Sequence, residues 1–197
     1  MKSTSFFHVS IRLGPMLCWA AMIALAGSCS NADAKGKGEK KMTIQITSSA
    51  FTQGQPIPKK YTGEGADVSP PLAWSNLPAD AKELALICDD PDAPNGDWVH
   101  WVIYKIPVGT KGLPEGVPPK SKLKEPAGAL QGDNSWPSTG YRGPMPPPGH
   151  GVHHYHFKLY ALDAPLQAEP GLTKQALLER IKGHVLAEGE LMGTYKR

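Results

Sequence analysis

The sequence predicts a mainly β fold, and three observations support this prediction. The chain of 197 residues contains 21 Gly and 20 Pro, a content that requires many turns and argues against a helical bundle. Several segments carry the residue pattern of strands, whereas a single segment carries a convincing helical period. The length is that expected of one domain, and about 155 residues are enough to enclose a hydrophobic core.

The predicted strands differ in how their apolar residues are arranged. Thr43 to Thr47 alternates polar and apolar residues, with the period of two that a half-buried strand shows. Lys82 to Cys88 contains a short continuous apolar run, which is typical of a buried strand. Trp98 to Ile106 and His153 to Leu162 are rich in β-branched and aromatic residues, and the first of them stops at Pro107.

One amphipathic helix is predicted near the C-terminus. Its apolar residues recur at helical spacing, at Leu172, Ala176, Leu177, Ile181 and Val185. Thr173 is the expected N-cap, because its hydroxyl can accept a hydrogen bond from the first turn. Most of the remaining chain, above all the Gly- and Pro-rich stretch from Gly112 to Gly151, is predicted to form loops of the kind that carry function.

Residues 1–29 have the parts of a secretory signal peptide, in which positive charge precedes an apolar segment. The apolar segment, Met16 to Gly27, is too short to span a bilayer, which takes about 20 residues. The small residues before Cys29 resemble the lipobox of bacterial lipoproteins, in which the cysteine is lipidated. Cleavage after Ala34 is the alternative, and it would give a periplasmic protein without a lipid.

The rest of the chain divides into a tether and a folded domain. Residues 30–41 are rich in Lys and have no apolar periodicity, so we expect a flexible tether. The domain is expected over residues 42–197, either held at a membrane of the cell envelope through Cys29 or free in the periplasm. Cys88 would be its single cysteine, so no disulfide within the domain is expected. The formal charge of +3 is small, and the Lys and Arg residues are scattered, which argues against a nucleic-acid partner.

Strand periodicity assigns the residues near the predicted strand ends to faces. The inward face of the last predicted strand carries His153, Tyr155, Phe157 and Leu159. The opposite, solvated face carries His154, His156 and Lys158. By the same rule His100 shares a face with Val102, Tyr104 and Ile106.

The polar residues near the strand ends admit several interpretations. Four His lie within HGVHHYH, but parity divides them between two faces, and no zinc-binding spacing accompanies them. A set of two His and one carboxylate, formed by Asp90, His100 and His153, remains an alternative metal site. A serine hydrolase is disfavoured, because the sequence lacks a GxSxG motif. Asp90 and Asp92 could also be turn formers beside the neighbouring prolines.

Several longer motifs occur together and in a fixed order. They are IPKKYTGEGADVSPPLAW, DDPDAP, WVHWVIYKIP, GYRGPMPPPGHGVHHYHFKLYALD and GHVLAEGELMGTYKR. The joint occurrence of DPDAP, VHW and GPxPPxGxxxHxY resembles the phosphatidylethanolamine-binding protein family, in its bacterial Raf kinase inhibitor-like branch, over residues 42–197. The resemblance implies a large antiparallel sheet packed with a smaller sheet, and a few peripheral helices including one near the C-terminus.

The resemblance also implies a small pocket at one end of the sheet that binds anions such as phosphate or a phosphorylated head group. Its expected ligand-binding residues are Asp90, His100, His153 and Tyr155, with the rim residues Gly143, Pro144, Pro146 and Pro147. Two imidazoles and a phenol can donate hydrogen bonds to phosphate oxygens. Asp90 is expected either to orient His100 and raise its pKa, or to receive an ammonium or hydroxyl group of the ligand. We expect the four pocket residues to converge on one cleft.

The sequence departs from the family pattern at two positions. Gly63 in YTGEG and Met145 in GPMPP stand where bacterial relatives often carry Cys. A disulfide or redox role of these positions is therefore not expected in this chain.

The expected function is the binding of a small anionic or phosphorylated ligand by an exported protein. No enzyme activity, metal or cofactor is implied, because the pocket residues offer acid and base groups but no evident nucleophile. Two alternatives stay open. A protein-interaction module that inhibits a protease or kinase would use the Pro-rich loop and Trp136. A small hydrolase would use Asp90, His100 and His153 to activate water.

Lipidation at Cys29 predicts that the protein fractionates with membranes. Cys29→Ala removes the thiol that would carry the lipid, so the variant is expected in the soluble fraction. Cell fractionation followed by immunoblotting measures this, with Cys18→Ala as the control for loss of a cysteine inside the signal segment. Equal membrane association of the wild type and of Cys29→Ala would contradict lipidation.

Overall fold

A computed structural model describes residues 43–197 of the chain. The predicted signal peptide over residues 1–29, its Cys29 and the tether over residues 30–41 lie outside the described residues. None of the helices in residues 43–197 is long and apolar enough to cross a membrane.

Two antiparallel sheets make up most of the regular structure in the described residues. The larger sheet has the strand order β6-β4-β3-β7-β8, and the smaller sheet has the order β1-β2-β5. The strands are β1 Gln45–Thr47, β2 Leu72–Ser75, β3 Glu83–Asp90, β4 Trp98–Pro107, β5 Gly112–Leu113, β6 Leu130–Gln131, β7 His153–Leu162 and β8 Val185–Tyr195. Outside the sheets lie the α-helix α1, Lys174–Ile181, and a 3-10 helix, Lys59–Tyr61. The predicted mainly β fold, with two sheets and a helix near the C-terminus, is confirmed.

Two hydrophobic cores lie on opposite faces of the larger sheet. The core between the two sheets includes Trp74, Leu86, Trp101 and Phe157. The core beneath α1 includes Ile87, Val102, Leu177 and Ile181. Strand β3 lies at the centre of the larger sheet and is buried along its whole length, which explains its continuous apolar run.

A bulge near the end of β4 overturns the prediction that Val102, Tyr104 and Ile106 share a face. The pairing of β3 with β4 shifts register between Leu84 and Leu86, which places an extra residue in β4. Val102 and Tyr104 therefore pack beneath α1, whereas Ile106 lies in the core between the sheets. Alternation fails here because an extra residue reverses the phase of the side chains that follow it.

A second bulge in β4 turns His100 toward the core between the sheets. The residues on either side of it, Val99 and Trp101, pair with consecutive residues of β3, so His100 is the extra residue. Its ring contacts that of Tyr155, which belongs to the core between the sheets, while Val102 packs beneath α1. The prediction that His100 and Val102 share a face is therefore wrong, and the bulge is what aims His100 at the site.

Strand β7 follows simple alternation, as predicted. Its buried residues include His153, Tyr155, Phe157 and Leu159. Its partly exposed residues include His154, His156 and Lys158. The register of β7 with β8 shifts only at the far end, between Ala161 and Leu162, so no bulge disturbs the faces near His153.

The C-terminal helix is shorter than predicted. Thr173 caps it, since its hydroxyl accepts a hydrogen bond from the backbone N–H of Ala176 at 3.3 Å. The helix ends at Ile181, because Gly183 follows with φ of +84°, a left-handed conformation that ends helices. Val185, the last residue of the predicted apolar stripe, instead begins β8, a strand that the sequence pattern does not predict.

The sequence pattern does not predict β8 because this strand contains Gly189 and Gly193, and glycine is unfavourable inside a strand. A Cβ on Gly189 would lie 2.1 Å from the carbonyl oxygen of Ile44, and one on Gly193 would lie 2.5 Å from Cγ1 of Ile57. The segment around Ile44 also donates a backbone hydrogen bond to Glu188 at 3.0 Å. The close approach of this segment to β8 requires residues without side chains.

Gly189→Ala is expected to lower the free energy of unfolding by about 2 kcal/mol, because the new methyl group would overlap a backbone carbonyl. Denaturant unfolding followed by tryptophan fluorescence measures the loss. Gly109→Ala is the matched control, since a Cβ at that position has no neighbour within 4 Å. A loss for Gly189→Ala no larger than that of the control would contradict the close approach.

Candidate functional site

The predicted residues Asp90, His100, His153 and Tyr155 line one cavity of about 280 Å³. Asp90 ends β3, His100 lies in the bulge near the start of β4, and the other two open β7. These strands are antiparallel neighbours in the larger sheet, so the end of β3 and the starts of β4 and β7 lie together at one end of that sheet. Three larger hollows on the described surface, of about 400, 470 and 710 Å³, contain none of the four residues. The smaller cavity is the functional candidate because buried ionisable groups meet there.

Asp90 is paired with His153 rather than with His100. Its Oδ2 accepts a hydrogen bond from Nδ1 of His153 at 2.7 Å, and both side chains are buried. Its Oδ1 accepts a hydrogen bond from the backbone N–H of Asp92 at 2.9 Å, as a turn-forming aspartate does. The expectation that Asp90 orients His100 is therefore wrong, and the carboxylate instead fixes the tautomer of His153.

Asp92 lies outside the cavity and fastens the turn after β3 to β7. Its Oδ2 accepts hydrogen bonds from the backbone N–H of His154 at 2.9 Å and from Nδ1 of the same residue at 2.7 Å. Both aspartates are thus turn residues, and Asp90 is in addition a site residue.

His100 is oriented by the backbone. Its Nδ1 lies 2.6 Å from the carbonyl oxygen of Arg142, which can only accept, so Nδ1 carries the proton. Burial lowers the pKa of His100 below its ordinary value and outweighs the nearby carboxylates, the reverse of the predicted shift. The neutral ring therefore leaves Nε2 as a hydrogen-bond acceptor.

The hydroxyl of Tyr155 is buried and has no hydrogen-bond partner among the described residues. Burial raises the pKa of Tyr155 well above its ordinary value, so the phenol keeps its proton. The charge of Asp90 adds to this effect, although Asp90 forms no hydrogen bond of good geometry with the phenol. Tyr155 therefore keeps a buried phenolic donor that makes no well-formed hydrogen bond with the described residues.

His150 does not line the cavity but contacts His153, and the sequence analysis did not predict this contact. Its Nδ1 lies 2.7 Å from Nε2 of His153, and the two ring centroids are 5.0 Å apart. His150 precedes β7 in a loop, where strand alternation predicts no side-chain direction. The HGVHHYH motif was the available signal, but it does not indicate which histidines meet.

Two tryptophans form part of the cavity wall. Trp98 and Trp136 both line it and meet edge to face, with 5.4 Å between their ring centroids. The guanidinium of Arg142 lies 5.3 Å from the ring of Trp136, within cation–π range. Sequence reasoning considered Trp136 only as a protein-contact residue and did not assign Trp98 to the site.

The predicted rim residues fall into two groups. Pro146 and Pro147 line the cavity, whereas Gly143 and Pro144 do not. The backbone of Gly143 passes so close to Tyr61 that a Cβ would lie 2.2 Å from its carbonyl oxygen. Gly143 and Pro144 are buried and lie outside the lining of the cavity.

Met145 also lines the cavity and contacts Gly63. A Cβ on Gly63 would lie 2.9 Å from Sδ of Met145 and 3.2 Å from its Cβ. The two positions at which the family resemblance leads us to expect Cys in bacterial relatives are thus neighbours in space.

Residues 43–197 contain no group of three or more His, Cys, Asp or Glu placed to hold a metal ion. The alternative metal site formed by Asp90, His100 and His153 therefore has no support in the described geometry. The described residues that line the cavity include no Ser, Thr, Cys or Lys, so none of these common nucleophiles is at hand.

Known proteins resemble this chain in both sequence and structure. The family described as phosphatidylethanolamine-binding protein matches residues 47–196. A UPF0098 protein of Methanothermobacter thermautotrophicus is 50% identical over 154 residues, which cover 78% of this chain and 99% of the relative. A structure described as a phosphatidylethanolamine-binding protein homologue from Chlamydia trachomatis has a TM-score of 0.70 and 43% identity, over 79% of this chain and 98% of that one. Escherichia coli YbcL, described as a member of the mammalian family, has a TM-score of 0.73 and 30% identity, over 78% and 98%.

The lowered pKa of His100 predicts a pH dependence of stability. A histidine in the unfolded chain takes up a proton near pH 6.5, whereas His100 in the folded chain does so only at lower pH. The free energy of unfolding is therefore expected to fall as the pH decreases from about 6.5. His100→Asn, which keeps an amide donor for the Arg142 carbonyl, should reduce this slope.

Denaturant unfolding between about pH 5 and 8 measures the slope for wild type and variant. His184→Asn is the control, because it removes a histidine whose side chain is 52% exposed. If the free energy of unfolding of His100→Asn depends on pH as steeply as that of the wild type, His100 is not the cause of the pH dependence.

Proposed function

The chain belongs to the phosphatidylethanolamine-binding protein family, and on this basis we propose that its cavity binds a small anionic or phosphorylated ligand. Free phosphate and a phosphorylated head group share the anionic oxygens that such a site would recognise. At about 280 Å³ the cavity is at the small end of ligand pockets, which favours a head group over a whole lipid.

The unpaired hydroxyl of Tyr155 carries this proposal. Buried donors without an acceptor are rare and costly, and this one lies in a cavity wall. An anionic oxygen in the cavity would accept its proton in a charge-assisted hydrogen bond, which is worth about 1.5–3 kcal/mol.

The other polar groups narrow the class of ligand. His153 can bond to a ligand only through Nε2, which faces the imidazole of His150, since its Nδ1 is bonded to Asp90. Neutral His100 offers an acceptor at Nε2, and the carboxylate of Asp90 is itself an acceptor. A ligand that matches both the donors and the acceptors of the cavity carries anionic oxygens together with a hydroxyl or ammonium group. A phosphate that keeps one proton and a zwitterionic head group both meet this requirement.

Binding without catalysis is part of the proposal. The lining of the cavity supports it, because Tyr155 is a phenol with a raised pKa and the histidines have no serine, threonine, cysteine or lysine beside them to activate. The alternative of an inhibitory protein contact has less support, because Trp136, which was expected to contact the partner protein, packs into the cavity wall.

Export is a further part of the proposal, and it is supported by sequence alone. The signal-like residues 1–29 and Cys29 would place the domain in the cell envelope, on a membrane or in the periplasm. The tether over residues 30–41 would then leave the cavity free to meet ligands near a membrane surface.

Tyr155→Phe tests the proposed function, because it removes the unpaired hydroxyl and keeps the ring. Isothermal titration calorimetry with inorganic phosphate and with dimethyl phosphate measures the affinity of wild type and variant. The affinity is expected to fall about tenfold or more, as for a lost hydrogen bond to a charged group, while the melting temperature should not fall. Binding of dimethyl phosphate would indicate a diester head group, and binding of inorganic phosphate alone would indicate free phosphate or a monoester.

Tyr141→Phe is the matched control. The hydroxyl of Tyr141 is also buried, but it donates to the carbonyl oxygen of Tyr61 at 2.8 Å. Its removal should lower the free energy of unfolding by about 1 kcal/mol and leave the anion affinity unchanged. Failure of the wild type to bind either anion, or equal affinity of wild type and Tyr155→Phe, would contradict the proposed function.

A further inference from the structure

The imidazole of His150 contacts Nε2 of His153, the ring nitrogen that forms no hydrogen bond with Asp90. Nδ1 of His153 is bonded to Asp90, and its Nε2 lies 2.7 Å from Nδ1 of His150. The side chain of His153 is otherwise enclosed, with 1% of its surface exposed. A ligand that bonds to His153 would therefore have to take the place of the His150 imidazole.

The two imidazoles share a single proton in this contact. Ring nitrogens at 2.7 Å form a hydrogen bond only if one of them carries a proton and the other a lone pair. Since Nδ1 of His153 already donates its proton to Asp90, an anionic oxygen can bind Nε2 only when that nitrogen also carries a proton, so that the ring donates from both nitrogens, and when the space in front of it is free. The anion and His150 consequently compete for one position.

The loop that carries His150 can release it without disturbing β7. The flanking Gly149 and Gly151 have φ of +77° and +103°, and a Cβ on either would meet no atom within 4 Å. The backbone N–H groups of His150 and Gly149 donate to the carbonyls of Pro147 at 3.2 Å and Arg197 at 3.3 Å, both long hydrogen bonds. The side chain of His150 is itself exposed, so its release needs no repacking of the core.

We infer that His150 is a built-in competitor for the anion site, which closes His153 by pairing with it and is displaced when an anion binds. This inference rests on the proposed function, because it concerns the same nitrogen of His153. A neutral ligand would gain no more than the imidazole bond that it replaces, whereas an anionic oxygen forms a charge-assisted and stronger bond. His150 thereby makes the site selective for charge.

His150→Ala is expected to bind the phosphate probe about two- to tenfold more tightly than the wild type, the factor that one competing neutral hydrogen bond provides. Isothermal titration calorimetry with inorganic phosphate and with dimethyl phosphate measures this factor. His154→Ala is the matched control, because it removes a neighbouring histidine that pairs with Asp92 outside the cavity, and it should bind as the wild type does. Weaker binding by His150→Ala would show that His150 assists the anion, and equal binding would show that it does not compete. Either result overturns the inference.

Nitrogen-15 NMR of the imidazoles separates failure of this inference from failure of the proposed function. Without added anion, His150→Ala should shift the Nε2 signal of His153 and leave its Nδ1 signal, which reports the bond to Asp90. If Nε2 shifts but neither protein binds either anion, the proposed function fails and the pairing stands. If Nε2 does not shift and both proteins bind the anion equally, the inference fails and the proposed function stands.

Discussion

The hydrogen bond between Asp90 and His153 is the contact on which the cavity depends. It joins the end of β3 to the start of β7, where both side chains are buried. A buried carboxylate is tolerated when its oxygens are hydrogen-bonded, and Asp90 meets this condition with His153 on one oxygen and the backbone of Asp92 on the other. Because the pair fixes the ring of His153, it also decides which nitrogen meets His150 and leaves Tyr155 as the donor without a partner.

How much of the fold the sequence predicts depends on how regular each strand is. Strand β7 runs without a bulge beside His153, so alternation alone identified its buried face. Strand β4 has two bulges, which arise from its pairing with β3 and leave no mark in its own sequence. In β8, Gly189 is required by the approach of Ile44 from far earlier in the chain, and this glycine weakens the pattern that would reveal the strand. Patterns within a segment are therefore predictive, whereas constraints imposed by distant segments are not.

Prediction of the site from the sequence has the same limit. Motifs identified which residues gather at the strand ends, but not that Asp90 bonds to His153 instead of His100, since that choice depends on the distance between strands. Desolvation by the whole fold reversed the pKa shift expected for His100 from one neighbouring charge. Its actual partner is the Arg142 carbonyl, a backbone group to which no side-chain motif points. The contact of His150 was not predicted, because loops have no periodicity from which the direction of a side chain can be inferred.

The contact between Gly63 and Met145 has a consequence for redox chemistry at the cavity. A Cβ on Gly63 would lie 3.2 Å from that of Met145, slightly closer than the roughly 3.5–4.5 Å of a disulfide, so cysteines at both positions would be near enough to be joined. A rim joined in this way would tighten or loosen with thiol–disulfide exchange. In residues 43–197 of this chain the cysteine is Cys88, which is buried in the core. Gly63 and Met145 cannot form such a bond, so the contact between them is non-covalent.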